Sequence, residues 1–92
     1  MRKILKYAVA GTLESSDIMI TLAPVNEGSG VSVDLSSTVD MYYHDTIMGV
    51  IKSTLSELLV SDVEVTAVDH GALDCTIKAR VSTAVRRAQK EI

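Results

Sequence analysis

Neither tryptophan nor phenylalanine occurs in this 92-residue chain, and tyrosine occurs three times. Its core is therefore aliphatic, drawn from Val, Ile, Leu, Met and Ala within the 47% of residues that are hydrophobic. The same lack leaves little to stack on nucleobases, which argues against single-stranded nucleic-acid binding. A basic excess is also missing: nine basic residues face twelve acidic ones, for a net charge of −3, whereas a nucleic-acid surface is basic. Cys75 stands alone, so neither an internal disulfide framework nor a zinc cluster can form. No stretch approaches the ~20 apolar residues of a membrane span. The apolar run in "MRKILKYAVAG" is too short for a signal peptide. These absences predict a soluble, cytoplasmic protein with no metal site and neither nucleic acid nor membrane as partner.

A chain of this length makes one domain, residues 1–92, with one modest core. It buries roughly two-thirds or less of the surface that its unfolded form exposes. "KYAVAGTLE" alternates weakly, and Tyr7, Val9, Gly11 and Leu13 fall on one face. "DIMITLAP" alternates well, setting Ile18, Ile20 and Leu22 against Met19, Thr21 and Ala23. Pro24, the single proline, ends that strand because it offers no amide to a ladder. "NEGSG" reads as a flexible loop. "VSVDLSS" alternates strictly, with Val31, Val33 and Leu35 inward.

The period then changes. Ser37 and Asp40 resemble a capping box with Asp in place of Glu. Tyr43, Ile47, Val50, Ile51, Leu55 and Leu58 recur at helical spacing, which predicts a helix over 39–60. "DVEVTAVD" returns to alternation, with Val63, Val65 and Ala67 on one side. Leu73, Ile77, Val81, Ala84, Val85 and Ala88 mark a last helix, basic on its outer face. Residues 72–78 also alternate, but the helical pattern continues unbroken to residue 88. The order β-β-β-α-β-α predicts an α+β fold, a mostly antiparallel four-stranded sheet with two helices packed on one face.

Catalytic chemistry finds little support. His44 and His70 are the only histidines, no G-x-S-x-G elbow accompanies a serine, and "NEGSG" lacks the lysine of a phosphate loop. His44 reads as a solvated residue near a helix start and His70 as a turn residue. Cys75 reads as a small buried apolar residue, and Met19, Met41 and Met48 as core fillers. The segment "ESSD", residues 14–17, is the exception. Serine and aspartate form turns readily because their side chains bond nearby backbone groups. The same turn also offers an exposed hydroxyl on a rigid hairpin tip, open to covalent modification. Composition leaves both readings open.

"AVAGTLESSD" with "IMITLAP", and the distant "VDHGALDCTIKAR", together resemble the citrate lyase gamma chain family, the acyl carrier proteins of that enzyme. The two blocks stand in the family's order, and the resemblance covers nearly the whole chain. It implies that the serine of "GTLES", here Ser15, carries 2′-(5″-phosphoribosyl)-3′-dephospho-coenzyme A through a phosphodiester. It implies a carrier without catalytic residues of its own, bearing acetyl and citryl thioesters while citrate is cleaved to acetate and oxaloacetate. A thioester fragment leaves as an enolate more readily than a free carboxylate would, so the carrier's thiol does the activating. The implied partners are the citrate lyase alpha and beta subunits, a prosthetic-group transferase and an acetate ligase that charges the thiol. The helical-bundle carrier fold is not expected, since its Asp-Ser-Leu motif is absent. One departure stands out: the family commonly has glycine after the modified serine, and this chain has Ser16.

Two alternatives remain, the malonate decarboxylase acyl carrier subunit and a non-covalent interaction domain. The acids Glu14 and Asp17 are expected to help a transferase recognise the turn, and the hairpin rim and the basic face of Lys78, Arg80, Arg86 and Arg87 to dock the alpha and beta subunits.

Overall fold

The structure, a computed structural model, describes residues 3–38 and 43–89. Its elements follow the expected order: β1 (Ala8–Ala10), β2 (Ile18–Ala23), β3 (Val31–Ser37), α1 (His44–Glu57), β4 (Val63–Asp69) and α2 (Asp74–Ala88). The strands form one mixed sheet in the order β1-β2-β4-β3. Its β1–β2 and β2–β4 pairs are antiparallel, and β3–β4 is parallel. A parallel neighbour cannot be reached through a tight turn, so the chain crosses over between β3 and β4 through α1.

The register lines up the apolar positions. Ala10, Ile20, Ala67 and Leu35 make one row, and Ala8, Leu22, Val65 and Val33 the next. These rows face the helices, with α2 over β1 and β2, α1 beside β3, and the two helices against each other. Ile47, Ile51 and Leu55 of α1 and Ile77, Val81, Ala84 and Val85 of α2 complete the aliphatic core. Alanine at 8, 10, 84 and 88 lets α2 approach the β1 side closely, and Ala88 there accepts the Leu5 amide through its carbonyl at 3.0 Å.

Several expectations need correction. In β1 the buried face is Ala8 and Ala10, and Tyr7, Val9 and Leu13 are exposed. The strand is only three residues long and ends before Gly11, too short for its weak alternation to fix the register. Ser37 does not cap α1: it is the last residue of β3, and its hydroxyl donates to Asp69 at 2.9 Å. The described helix begins at His44, after Tyr43, which is exposed; Asp40, Met41 and the rest of 39–42 lie outside the described residues. Leu73 is the residue before α2 and is exposed, as is Cys75 in its first turn. Met19 and Met48 are half-buried and lie outside the buried core. The "NEGSG" loop is pinned, because the Asp62 carboxylate accepts the amides of Gly28 (3.1 Å) and Gly30 (2.8 Å). Those bonds hold the Asp62 carboxyl below its usual range.

Candidate functional site

Both distinctive sequence blocks meet at one end of the sheet. Residues 11–17 join β1 to β2, and residues 70–73 join β4 to α2. Two main-chain bonds tie these connections together: Ser16 N–H donates to the His70 carbonyl at 2.7 Å, and His70 N–H to the Asp17 carbonyl at 2.9 Å. His70 is thus a turn residue as expected, with a turn that braces the hairpin.

The hairpin loop is built by a short chain of local bonds. Gly11 turns out of β1 with φ +98°, in the region that favours glycine. It also lies hard against β2, so that a β-carbon there would sit 1.8 Å from the Ile18 carbonyl oxygen. The Thr12 hydroxyl accepts the Glu14 amide at 3.2 Å and donates to the Asp17 carboxylate at 2.6 Å. Asp17 N–H reaches back to the Glu14 carbonyl at 3.3 Å, closing a turn whose central residues are Ser15 and Ser16. Ser16 has φ +63°, a positive value that type II turns require at this position and usually obtain from glycine.

The Ser15 hydroxyl is exposed and makes no hydrogen bond to another described residue. Left-handed backbone costs a non-glycine residue roughly 1–2 kcal/mol, so the site carries local strain next to its apex. Ser16→Gly is expected to relieve most of it, less the extra entropy that glycine loses on folding. A gain of about 0.5–1 kcal/mol follows, seen as a thermal midpoint a few degrees higher. An unchanged or lower midpoint would mean that the Ser16 side chain already compensates.

Asp17 anchors the loop from below. It is 8% exposed, and its carboxylate accepts the Ile18 amide (2.7 Å), the Thr12 hydroxyl and a two-pronged contact from Arg80 of α2. Arg80 Nε and Nη2 lie 3.0 and 2.9 Å from the two carboxylate oxygens. The Arg80 fork, the Thr12 hydroxyl and the Ile18 amide hold the Asp17 carboxyl far below its usual range, against the opposing effect of burial. Because the folded value is depressed, this stabilisation is fully present above the ordinary aspartate value of 3.8 and is lost as pH falls below it. The stability difference between the native chain and Asp17→Asn should be constant near neutrality and shrink on acidification below about pH 4. Thermal unfolding across that range checks it, and a difference that grew on acidification would contradict the assignment.

Asp69 does the same service for the second connection. Fully buried, it accepts the Ser37 hydroxyl and the amides of Gly71 and Ala72, both at 3.1 Å. Beside it lies a cleft of about 190 Å³, lined by Tyr43, Thr46 and Ile47 on the α1 side and by Asp69, Gly71, Ala72 and Asp74 on the other. His44 opens α1, and its Nδ1 lies 3.7 Å from a carboxylate oxygen of the exposed Asp45. Among the described residues, no side chain hydrogen-bonds the Ser15 hydroxyl as a base would. The two connections form a braced platform with a free hydroxyl at its tip.

Comparison with known proteins shows the family of the chain. The acyl carrier family model described as malonate decarboxylase delta subunit (MdcD) matches residues 5–88. Citrate lyase acyl carrier protein of Streptococcus equi subsp. equi (strain 4047) is 50% identical over 86 residues, covering 94% of this chain and 83% of that one. The Streptococcus uberis protein of the same name is 53% identical over 85 residues, 92% of this chain and 82% of its own. The one from Oenococcus oeni is 51% identical over 86 residues, 94% and 87%. The chain belongs to the citrate lyase acyl carrier protein family.

Among solved structures, a chain in the crystal structure of a Pseudomonas malonate decarboxylase hetero-tetramer in complex with malonate matches with a TM-score of 0.75. The match covers 95% of this chain and 88% of that one at 13% identity, which establishes a shared α+β fold distinct from a helical bundle. Membership in the citrate lyase carrier family supports an acyl carrier role. No described helix is long and apolar enough to cross a membrane.

Two readings of the charged residues change. Asp17 is turned inward and spent on Arg80 and Thr12, while Glu14 remains exposed. The basic face is partly engaged within the fold: Arg80 holds Asp17, and Arg87 Nη1 donates to the Val9 carbonyl at 2.6 Å. The Asp17–Arg80 pair spans 63 residues of sequence, so no local signal announced it.

Proposed function

We propose that this chain is the acyl carrier subunit of citrate lyase and that Ser15 is where its prosthetic group is attached. The carrying observation is the exposed, unengaged Ser15 hydroxyl on a turn clamped from both sides. In attachment, the Ser15 oxygen attacks the phosphorus of an activated donor, gives up its proton and becomes the bridging atom of a phosphodiester. The donor's leaving group departs with the displaced electron pair. The group that fits this linkage is 2′-(5″-phosphoribosyl)-3′-dephospho-coenzyme A, which when bound supplies a terminal thiol for carrying acyl groups. Directly beneath the turn, the Asp17 carboxylate is paired with Arg80, which offsets its charge toward an incoming phosphate. The chain's own contribution is to fix the point of attachment and the direction in which the tether leaves. Tethering raises the local concentration of the carried group at the alpha and beta subunits, the partners in this reading, as compared with free diffusion.

A malonate decarboxylase role is the rival reading. Identity of about half the aligned residues to citrate lyase carriers, against 13% to the malonate decarboxylase chain, favours citrate lyase. Incubation with the prosthetic-group transferase and its donor, followed by intact mass and peptide mapping, tests the assignment. One addition mapped to residue 15 is expected. No addition, with a known citrate lyase carrier modified in parallel, would overturn it.

A further inference from the structure

We propose that Arg80 is a positioning residue for the modification of Ser15, holding through Asp17 the turn that presents the serine hydroxyl. The proposal rests on Ser15 being the acceptor. The turn is not self-supporting. Ser16 sits at φ +63°, where serine is locally disfavoured, so an unclamped 14–17 segment would spread over other conformations. Asp17 closes the turn through its amide, and Arg80 grips the Asp17 carboxylate from outside the hairpin. Two parallel nitrogen–oxygen bonds fix the orientation of the carboxylate as well as its distance, which a single ammonium cannot do.

Arg80 is well placed for this work alone. Ile77, Val81 and Ala84 carry the inward packing of α2, while the Arg80 side chain is partly exposed and, among the described residues, hydrogen-bonds Asp17 only. Its loss should therefore loosen the turn and spare the core. A transferase that accepts only the clamped turn binds a loosened carrier more weakly, in inverse proportion to the clamped fraction. The signature is a raised KM for the carrier with kcat little changed.

The test compares Arg80→Met and Arg80→Lys with the native chain, using purified transferase and its activated phosphoribosyl-dephospho-coenzyme A donor. Attachment is followed by intact mass over a range of carrier concentrations, and amide exchange is read in parallel. For Arg80→Met a KM about tenfold higher is expected, as for a turn clamped about a tenth of the time. Arg80→Lys, which keeps the charge and loses the fork, should recover only part of the difference. The Ser16 amide should exchange faster in both, while that of Val81 keeps its native protection. Lys52→Met removes one positive charge from an exposed position of α1 and should leave KM unchanged. A native KM for Arg80→Met overturns the proposal. A raised KM accompanied by loss of Val81 protection also overturns it, since the effect would then be one of global folding. A native chain left unmodified at residue 15 instead removes the acceptor reading itself, and the positioning role with it.

Discussion

Ser15→Ala is expected to abolish prosthetic-group attachment, whereas Ser16→Ala is expected to leave it in place. The two hydroxyls are adjacent, both residues are exposed, and the transferase must distinguish them. Their backbones differ. Ser16 is held against the β4–α2 connection by its amide bond to His70 and occupies the left-handed region. Ser15 is the first central residue of the turn; the side chains of both serines are free of hydrogen bonds among the described residues. Removing the Ser15 oxygen deletes the only atom that can form the phosphodiester there, so the added mass should vanish entirely. Removing the Ser16 oxygen leaves the acceptor intact and keeps φ positive, at a stability change within about 0.5 kcal/mol. Intact mass of both variants after identical transferase treatment decides the matter. Modification of Ser15→Ala at a comparable rate would transfer the site to Ser16 and keep the carrier role. Loss of modification in both variants, each natively folded, would show that the transferase reads the pair of hydroxyls together.

The sheet was largely legible because its central strands obey a period of two without exception. Ile18, Ile20 and Leu22 in β2, and Val63, Val65 and Ala67 in β4, are all buried. Both strands run through the middle of the sheet, where one face is fully covered and the pattern has to be clean. The edges were harder to read. In β1, alanine supplies the buried positions and Tyr7 and Val9 the exposed ones, which inverts the usual cue. Large apolar residues at an edge strand of three residues are a poor guide to its inward face.

The helices show the same division. Ile47, Ile51 and Leu55, and Ile77, Val81 and Val85, read correctly, since each stripe packs against strands beneath it. Their starts did not. Ser37 looked like a cap, but its place opposite Asp69 across the parallel β3–β4 pair makes its hydroxyl a partner for that carboxylate. A capping motif is defined by local spacing, whereas this serine is used across a 32-residue separation. Cys75 and Leu73 looked buried because they continue an apolar pattern past the point where the core ends.

At the candidate site, Ser15 was named as the proposed acceptor through a family resemblance, and the support of its turn could not be read from the sequence. Gly11, Thr12 and Asp17 are close neighbours of Ser15, but the roles of Asp17 and Arg80 emerge only when α2 is laid across β1 and β2. The acids flanking Ser15 suggested a charged recognition surface. The fold instead uses one of them, Asp17, as an internal anchor.

Gly11→Ala should be the most damaging single exchange at this end of the molecule. Two separable costs act there. The first is conformational, since φ +98° is a region that alanine adopts only under strain, at about 1–3 kcal/mol. The second is steric: an added β-carbon would lie 1.8 Å from the Ile18 carbonyl oxygen and 2.9 Å from its carbon. That neighbour is main chain at the start of β2, and Ile18 is fully buried, so it cannot yield as a flexible side chain would. The hairpin must open instead, which breaks the Thr12–Asp17–Arg80 arrangement along with the turn. A combined loss of roughly 3 kcal/mol or more is expected, corresponding to a thermal midpoint lower by about 10 °C or more for a domain of this size. Gly28→Ala is the matched control. Gly28 also has a positive φ, +88°, but an added β-carbon would meet nothing within 4 Å. It should therefore suffer the conformational cost without the steric one and unfold well above Gly11→Ala. Equal midpoints for the two variants would mean that β1 and β2 can part at Gly11 at little cost. The turn bearing Ser15 would then owe its position to the clamps at His70 and Arg80 alone.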